Sequence, residues 1–486
     1  MASPTSQSRV PKACDPCNRR KVRCNGQQRC QQCEHLDLLC TYTENRSSRS
    51  RKHSLRRGAV ISKYKSSNTL PKTTALTPLL SPPLAPTASC QLPASYFESL
   101  LPDYMTYVYP FSPIITDAEV RLSIQKMDSE KEHAAFIYAF TAVTLDLTRS
   151  SHSATTNPNN APTSTQITDL MRQSVETQQP LVIGFRPSIL RATTSIFIQM
   201  CAMSLGHYDL GFFYLREAIS MIQILRICDQ TVQAGLNIAE RARRQRLYWQ
   251  CFIHERFMSI VYFSPVTLPP HTQYPEEDTT TASMSTGIQQ GWTQVIKTFC
   301  MLDASFISLW IGDRSQVTAS WVERKHRELD DELWEVEVSA LSELQQADLV
   351  ITRQWMRTLL WQMAMSNCLL SSHASCPSLE LDMPLRLSSQ LRQFLTKISQ
   401  NMIRVHGSSM ISKLLEIVNT IADVVIHVPQ ATTEETTSRI DDIVFMQGVV
   451  LSFHHLQVMS KDILLDKFRL IRGRFPHIEV AMQLAV

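Results

Sequence analysis

The chain has 486 residues, 43% of them hydrophobic and 19% charged, with a formal net charge of +4. A chain of this length readily buries a full core, and no uninterrupted apolar run reaches the roughly 18 residues of a membrane span, so no membrane contact is expected. The charge is unevenly placed: residues 1–70 carry 15 Lys and Arg against 4 Asp and Glu, a formal +11, and residues 71–486 come to −7. Basicity gathered at one end is the footprint of a nucleic-acid partner.

Six cysteines come first: Cys14, Cys17, Cys24, Cys30, Cys33 and Cys40. They form two halves of identical internal spacing, Cys14–Cys24 and Cys30–Cys40. A segment of about 27 residues cannot fold on buried hydrocarbon alone, and its apolar side chains are only Val22, Leu36, Leu38 and Leu39. Thiolate–zinc bonds supply what is missing, on the order of 10 kcal/mol or more. Six thiolates cannot fill two separate tetrahedral sites, but two shared sulfurs give each of two zinc ions four donors. The competing reading is a disulfide framework. Against it, the first residues, MASPTSQSRVPKA, lack the apolar core of a signal peptide, so an oxidising compartment is not expected.

The two halves differ in charge. Between Cys17 and Cys24 stand Asn18, Arg19, Arg20, Lys21, Val22 and Arg23, whereas Glu34, His35, Leu36, Asp37, Leu38 and Leu39 separate Cys33 from Cys40. Only the first half can approach phosphates. Asp15 and Pro16 read as the N-cap and first residue of a short helix to about Arg23. Arg and Lys pair with guanine O6 and N7 in the major groove, while Arg19 and Arg23 share a helix face suited to phosphate contacts.

The stretch ACDPCNRRKVRCNGQQRCQQCEHLDLLCTY resembles the fungal zinc binuclear cluster (Zn2Cys6) DNA-binding domain, with every cysteine in register. The resemblance implies a small zinc-stabilised domain of two short helices, spanning 1–42. It implies that Cys14 and Cys30 bridge the metals, that Cys17 and Cys24 complete one and that Cys33 and Cys40 complete the other. It also implies that Arg20 and Lys21 read CGG-like triplets in promoter DNA. One departure is visible: Arg29 stands where many members carry proline, in the inter-repeat loop Asn25–Arg29.

Residues 43–92 read as a disordered linker, rich in Ser, Thr and Pro. Its basic run from Arg46 to Lys65 suits a phosphate anchor, a nuclear-import signal, or both. No a/d heptad pattern is sustained there; Leu55, Val60, Ile61, Tyr64 and Leu70 fall out of register. That leaves open a monomer or a homodimer paired through the C-terminal domain.

Residues 93–486 read as a large all-α domain. Phe212, Leu215, Ile219, Ile222 and Leu225 recur at helical spacing, as do Trp249, Phe252, Ile253, Phe257 and Ile260. Further helices are expected around 133–147, 188–204, 292–311, 318–346, 350–371, 388–426 and 437–470. Residues 150–166 read as a disordered insertion and 269–290 as a long acidic-polar loop. The remaining cysteines are expected as free thiols, mostly in the core, and His207 and His254 as satisfied histidines of apolar helices. No HExxH, GxSxG, GxxxxGK[ST] or GxGxxG occurs in 91–486, so an enzyme is not expected.

The segments 95–120, 186–227 and 240–270 resemble the middle homology region of fungal zinc-cluster regulators, closest to the branch with regulators of maltose and starch use and of secondary-metabolite clusters. The resemblance implies a nuclear, sequence-specific RNA polymerase II transcription factor that binds double-stranded DNA and contacts the transcription machinery. Its expected role is activation of a secondary-metabolite gene cluster, with carbohydrate utilisation or repression as the alternative.

Overall fold

The computed structural model describes residues 13–20, 24–27, 30, 33–34 and 39–42 of the N-terminal region. Beyond it, the described residues are 92–155, 163–275, 284–312, 314–330, 334–372, 376–428, 432–453, 456 and 458–476; of 19, 20, 150–155, 458 and 459 only the backbone is described. The chain divides into two compact units, Met1–Cys90 and Gln91–Val486. The linker expectation therefore falls almost wholly outside the described residues.

In the first unit, α1 spans Asp15–Arg20. It starts one residue before the expected Pro16, with Asp15 inside the first turn rather than capping it. Pro16 sits where its missing N–H costs no intrahelical bond. The Cys14 carbonyl accepts from the Asn18 amide at 2.8 Å, and the Asp15 amide donates to the Thr41 carbonyl at 2.8 Å. That second bond ties the start of the cysteine segment to its end. Gly26 has φ +75°, which lets the chain reverse just after Cys24 without a Cβ clash. The buried side chains that pack together are sulfur: Cys14, Cys17, Cys24, Cys30 and Cys33, with Ala13, Cys40 and Tyr42 against them.

The second unit is helical, with no strand among the described residues and one isolated bridge, Ser371 to Glu380. Its helices are α2 (Ala94–Ser99), α3 (Asp117–Lys126), α4 (Lys131–Thr155), α5 (Ser164–Thr177), α6 (Ile189–Ser204), α7 (Tyr208–Ile224), α8 (Gln230–Ala234), α9 (Ile238–Tyr262) and α10 (Thr286–Cys300). They continue as α11 (Ala304–Ile311), α12 (Ala319–Leu329), α13 (Trp334–Ser339), α14 (Glu343–Ser366), α15 (Met383–Leu395), α16 (Gln400–Arg404), α17 (Gly407–His427), α18 (Thr433–Leu451) and α19 (Val458–Arg474).

Local chemistry sets the helix starts. Ser188, Asn237, Ser285, Thr318, Ser342 and Thr432 each accept a backbone N–H from the first turn of the helix they precede, worth about 1 kcal/mol apiece. Packing sets the layers. Every residue of α6 except Met200 is buried, its Thr193, Thr194 and Ser195 hydroxyls donating to carbonyls one turn earlier, and α6 lies against α4 and α7. Helix α14 packs on α10, α12, α15 and α17, and α17 in turn on α18 and α19. Trp355 of α14 is 2% exposed and meets Phe257 of α9 with ring centroids 5.7 Å apart. Gly291 lets α10 and α14 close up, because a Cβ there would collide with the Gln345 side chain, whose amide donates to the Gly287, Ile288 and Pro110 carbonyls.

Several expected boundaries shift. The insertion expected over 150–166 is narrower: α4 runs to Thr155 and α5 begins at Ser164, capped by Thr163, leaving 156–162 outside the described residues. The loop expected over 269–290 ends where α10 starts at Thr286. The stretch 292–311 is two helices, parted at the Asp303 cap. Helices α12, α13 and the start of α14 divide 318–346, where Asp330 and the Ser342 cap end regular turns. Helix α14 stops at Ser366 rather than continuing to 371. Likewise 388–426 holds α15, α16 and α17, and 437–470 holds α18 and α19.

His207 is an exposed residue of the turn before α7, not a core histidine. The cysteines of the helical unit are free, but only Cys201 and Cys251 are buried; Cys228 and Cys368 are exposed, and Cys300 and Cys376 half-buried. Cys90 lies outside the described residues.

Candidate metal centre and nucleic-acid interface

Six sulfur atoms converge in the first unit. The Sγ atoms of Cys14, Cys17, Cys24 and Cys30 lie within 4.8 Å of one another, and so do those of Cys14, Cys30, Cys33 and Cys40. The two groups of four share Cys14 and Cys30. Individual separations are 3.6 Å for Cys14–Cys30, 3.6 Å for Cys14–Cys33, 3.5 Å for Cys17–Cys30 and 3.9 Å for Cys14–Cys24. A disulfide needs about 2.05 Å, and all six cysteines are free thiols. The disulfide framework is excluded.

These distances suit a metal. Four sulfurs placed tetrahedrally at the zinc–sulfur distance of about 2.3 Å stand about 3.8 Å apart along each edge. The observed separations bracket that value, so the sulfurs already stand where zinc would need them. Charge points the same way. Burial pushes the Cys14, Cys17 and Cys33 thiols up, reinforced at Cys17 and Cys33 by neighbouring sulfurs. Cys30 is also pushed up by burial, but bonds from Cys33, Cys17 and Cys14 outweigh this and bring it down to about 6. Thiolates crowded this closely are relieved by a cation among them.

Backbone groups hold the ligands in place. The Gly26 amide donates to Cys24 Sγ and the Cys30 amide to Cys40 Sγ, both at 3.4 Å. The amides of Cys33 and Glu34 donate to the Cys30 carbonyl at 2.9 Å, a single helical turn in the second half. Tyr42 was not singled out from the sequence, yet its hydroxyl donates to the Gln27 carbonyl at 2.8 Å and lies 3.9 Å from Cys24 Sγ. Its signal was an aromatic residue two places after the last cysteine.

Of the residues expected at DNA, Arg19 and Arg20 sit on the last turn of α1, with only their backbone described. Lys21 and Arg23, the Gln28–Arg29 end of the inter-repeat loop, and Val22, Leu36 and Leu38 lie outside the described residues.

In the second unit the charged groups of α9 serve the fold. Glu255 is fully buried and accepts from the Thr267 and Leu268 amides at 2.9 Å, from Arg216 at 2.7 Å and from Arg256 at 3.0 Å. That pins the chain as it turns away from α9 after Phe263, whose φ is +54°. His254 is half-buried and bonded on both ring nitrogens, to Gln199 and to Gln250, each at 2.7 Å. It is the satisfied core histidine expected. Among the described residues no helix is long and apolar enough to cross a membrane by itself.

Residues 12–50 match the model of the fungal Zn(2)-Cys(6) binuclear cluster domain, and residues 91–294 that of the fungal specific transcription factor domain. The chain is similar to the probable sucrose utilization protein SUC1 of Candida albicans, 21% identical over 84% of this chain and 78% of that protein. It is similar to the maltose fermentation regulatory protein MAL13 of Saccharomyces cerevisiae, 21% identical over 87% of this chain and 85% of the relative. A third likeness is confined to the cysteine region: 44% identity over 48 residues of the transcription factor PDR1 of Candida glabrata, 10% of this chain and 4% of that one.

Proposed function

The chain belongs to the fungal Zn2Cys6 transcription factors, a regulator and not an enzyme whose cluster domain binds two zinc ions and DNA, and on that premise we propose that it is a nuclear, sequence-specific activator of carbohydrate-utilisation genes. The observation that carries the reading is the pair of four-sulfur groups sharing Cys14 and Cys30. We assign those two as bridges, Cys17 and Cys24 to one zinc, and Cys33 and Cys40 to the other. When bound, the metals supply the rigidity that a core would otherwise provide.

The chain's own residues then do the reading. Arg20, the last residue of α1, and Lys21, which follows it in sequence, would reach guanine edges of a CGG-like element. Arg19 and Arg23, one turn apart, would hold phosphates and set the register. The linker's basic run from Arg46 to Lys65 would serve nuclear import, and the helical unit would contact the transcription machinery and carry any homodimer contact. The domain limits 1–42, 43–92 and 93–486 follow from this division of labour.

The sugar reading takes its support from the sucrose and maltose proteins, which are similar along most of the chain. The expected secondary-metabolite role has no counterpart among them. Two experiments test the proposal. In binding to CGG-containing and scrambled duplexes, Lys21→Ala should erase about 1–3 kcal/mol of discrimination. Arg19→Ala should weaken both duplexes alike and flatten the salt slope by about one unit. Equal binding of both duplexes by the wild-type protein rejects sequence-specific reading. Transcript profiling after deletion should show sugar-utilisation genes falling. A loss confined to a metabolite cluster would transfer the target set there, and a rise would make the protein a repressor.

A further inference from the structure

The two halves of the cysteine segment share their spacing but not their surroundings. Cys24 and Cys40 close the halves at equivalent places, so Gly26 and Tyr42, each two residues beyond, are equivalent as well. Both come back to Cys24. The Gly26 amide donates to Cys24 Sγ at 3.4 Å, and the Tyr42 hydroxyl oxygen lies 3.9 Å from the same sulfur. Cys40 Sγ receives the Cys30 amide at 3.4 Å. Exposure follows the same order: Cys24 is 7% exposed, whereas Cys40 is half-buried.

The turn after Cys24 is fastened at several points. Asn25 Oδ1 accepts from the Gln27 amide at 3.5 Å, and Asn25 Nδ2 donates to Gln27 Oε1 at 2.9 Å. The Gln27 carbonyl then accepts from the Tyr42 hydroxyl at 2.8 Å. With its one proton directed at Gln27, that hydroxyl gives Cys24 coverage rather than a hydrogen bond, and a sulfur ligating zinc has no proton to donate in return. The Tyr42 side chain packs on the sulfurs beside Ala13. Its neighbour Thr41 accepts from the Asp15 amide through its carbonyl at 2.8 Å. Two successive residues beyond the last cysteine are thereby tied to the first half, one at the start of α1 and one at the turn after Cys24.

Cys17, on α1, and Cys24 are the pair assigned to one zinc. Groups outside a metal's ligand set that fix where a ligand stands also govern how firmly the ion is held. Tyr42 has that place with respect to Cys24, through the turn it fastens and the sulfur it covers.

We propose that Tyr42 is a positioning residue for the zinc ion of Cys17 and Cys24: bonded to the Gln27 carbonyl, it holds the turn closed over Cys24 Sγ and makes this ion the slower of the two to leave. The inference rests on the ligand assignment made under the proposed function. The half so protected carries the basic residues Arg19 and Arg20 of α1. The other half, with the more open Cys40, is the side from which an alkylating agent enters.

The test uses the full-length, zinc-loaded protein, treated with iodoacetamide for increasing times. Labelling of each cysteine is followed by peptide mass spectrometry, and the zinc count by native mass spectrometry. In the wild-type protein Cys40 should be labelled before Cys24. Tyr42→Phe keeps the ring and removes the bond to Gln27. It should speed labelling of Cys24 about three- to tenfold, as the loss of one hydrogen bond allows, and change Cys40 by less than about twofold. Tyr42→Ala, which removes the ring as well, should speed Cys24 further. If Tyr42→Phe is recovered without zinc, the order of labelling in the wild-type protein decides alone. Equal speeding of all six cysteines, as a general loosening would give, would overturn the inference and leave the two-zinc assignment standing. So would an unchanged Cys24 in both variants, or Cys24 labelled first in the wild-type protein. A wild-type chain holding a single zinc would overturn the assignment and the inference with it.

Discussion

Among the described residues, the first unit buries five cysteines and almost no hydrocarbon, while α14 alone buries Leu344, Leu349, Ile351, Trp355, Met356, Leu359, Leu360 and Trp361. The same chain thus solves the folding problem in two ways. In the helical unit stability is distributed: each fully buried large apolar side chain contributes about 1.5–3 kcal/mol, and no single one is decisive. In the cysteine unit it is concentrated in a few thiolate–metal bonds, a binding free energy of about 10–16 kcal/mol that is also the folding free energy. Distribution tolerates change and leaves room for a cavity between helices. Concentration fixes a short basic helix in space with very few residues, and fails as a whole.

The sharpest way to break this contrast is to remove the metal. Chelation should abolish CGG-duplex binding and unfold the first unit completely, yet leave the helical circular dichroism and melting of the second unit intact. A large loss of helix signal would mean that the two units do not owe their stability to different sources. Next in size is a core truncation. Trp355→Ala should destabilise the helical unit by about 3–5 kcal/mol in denaturant unfolding, with zinc content unchanged.

A smaller effect follows from acid. His254 titrates near 6.5 when unfolded and about 4 when folded, because burial and then Lys413 disfavour its charged form. The unfolded chain therefore takes up the proton first, and stability present above pH 6.5 is lost as pH falls toward 4. Between pH 7 and 5 this one group accounts for about 2 kcal/mol. His254→Gln should remove about that much of the pH dependence of the helical unit's unfolding free energy, and an unchanged slope would refute the assignment.

The two units were also unequally legible. Cysteine spacing is a local pattern, and the two half-sites can be read from it because each ligand's partners lie within 26 residues. The helical periodicity was equally plain where the core face is apolar, as in α7 and α9. It misled where strong N-caps divide one periodic run: Thr318 and Ser342 start new helices inside 318–346. Helix α5 was hidden by its Ser- and Thr-rich start, although Ile167, Leu170, Met171 and Ser174 carry the helical spacing. The cavity between α6, α9, α10, α14 and α17 could not be read at all. Its lining residues Ser204, Gln250, Trp292, Asp348 and Lys413 come from five helices spread over more than two hundred positions, and only tertiary packing brings them together.

The central claim is that two metals share two sulfurs, and native mass spectrometry of the zinc-loaded chain tests it most directly. The wild-type protein should weigh two zinc ions per chain, and Cys30→Ala, which removes a donor from both groups of four, should weigh none. A single zinc in the wild-type protein, or two retained by Cys30→Ala, would contradict the account.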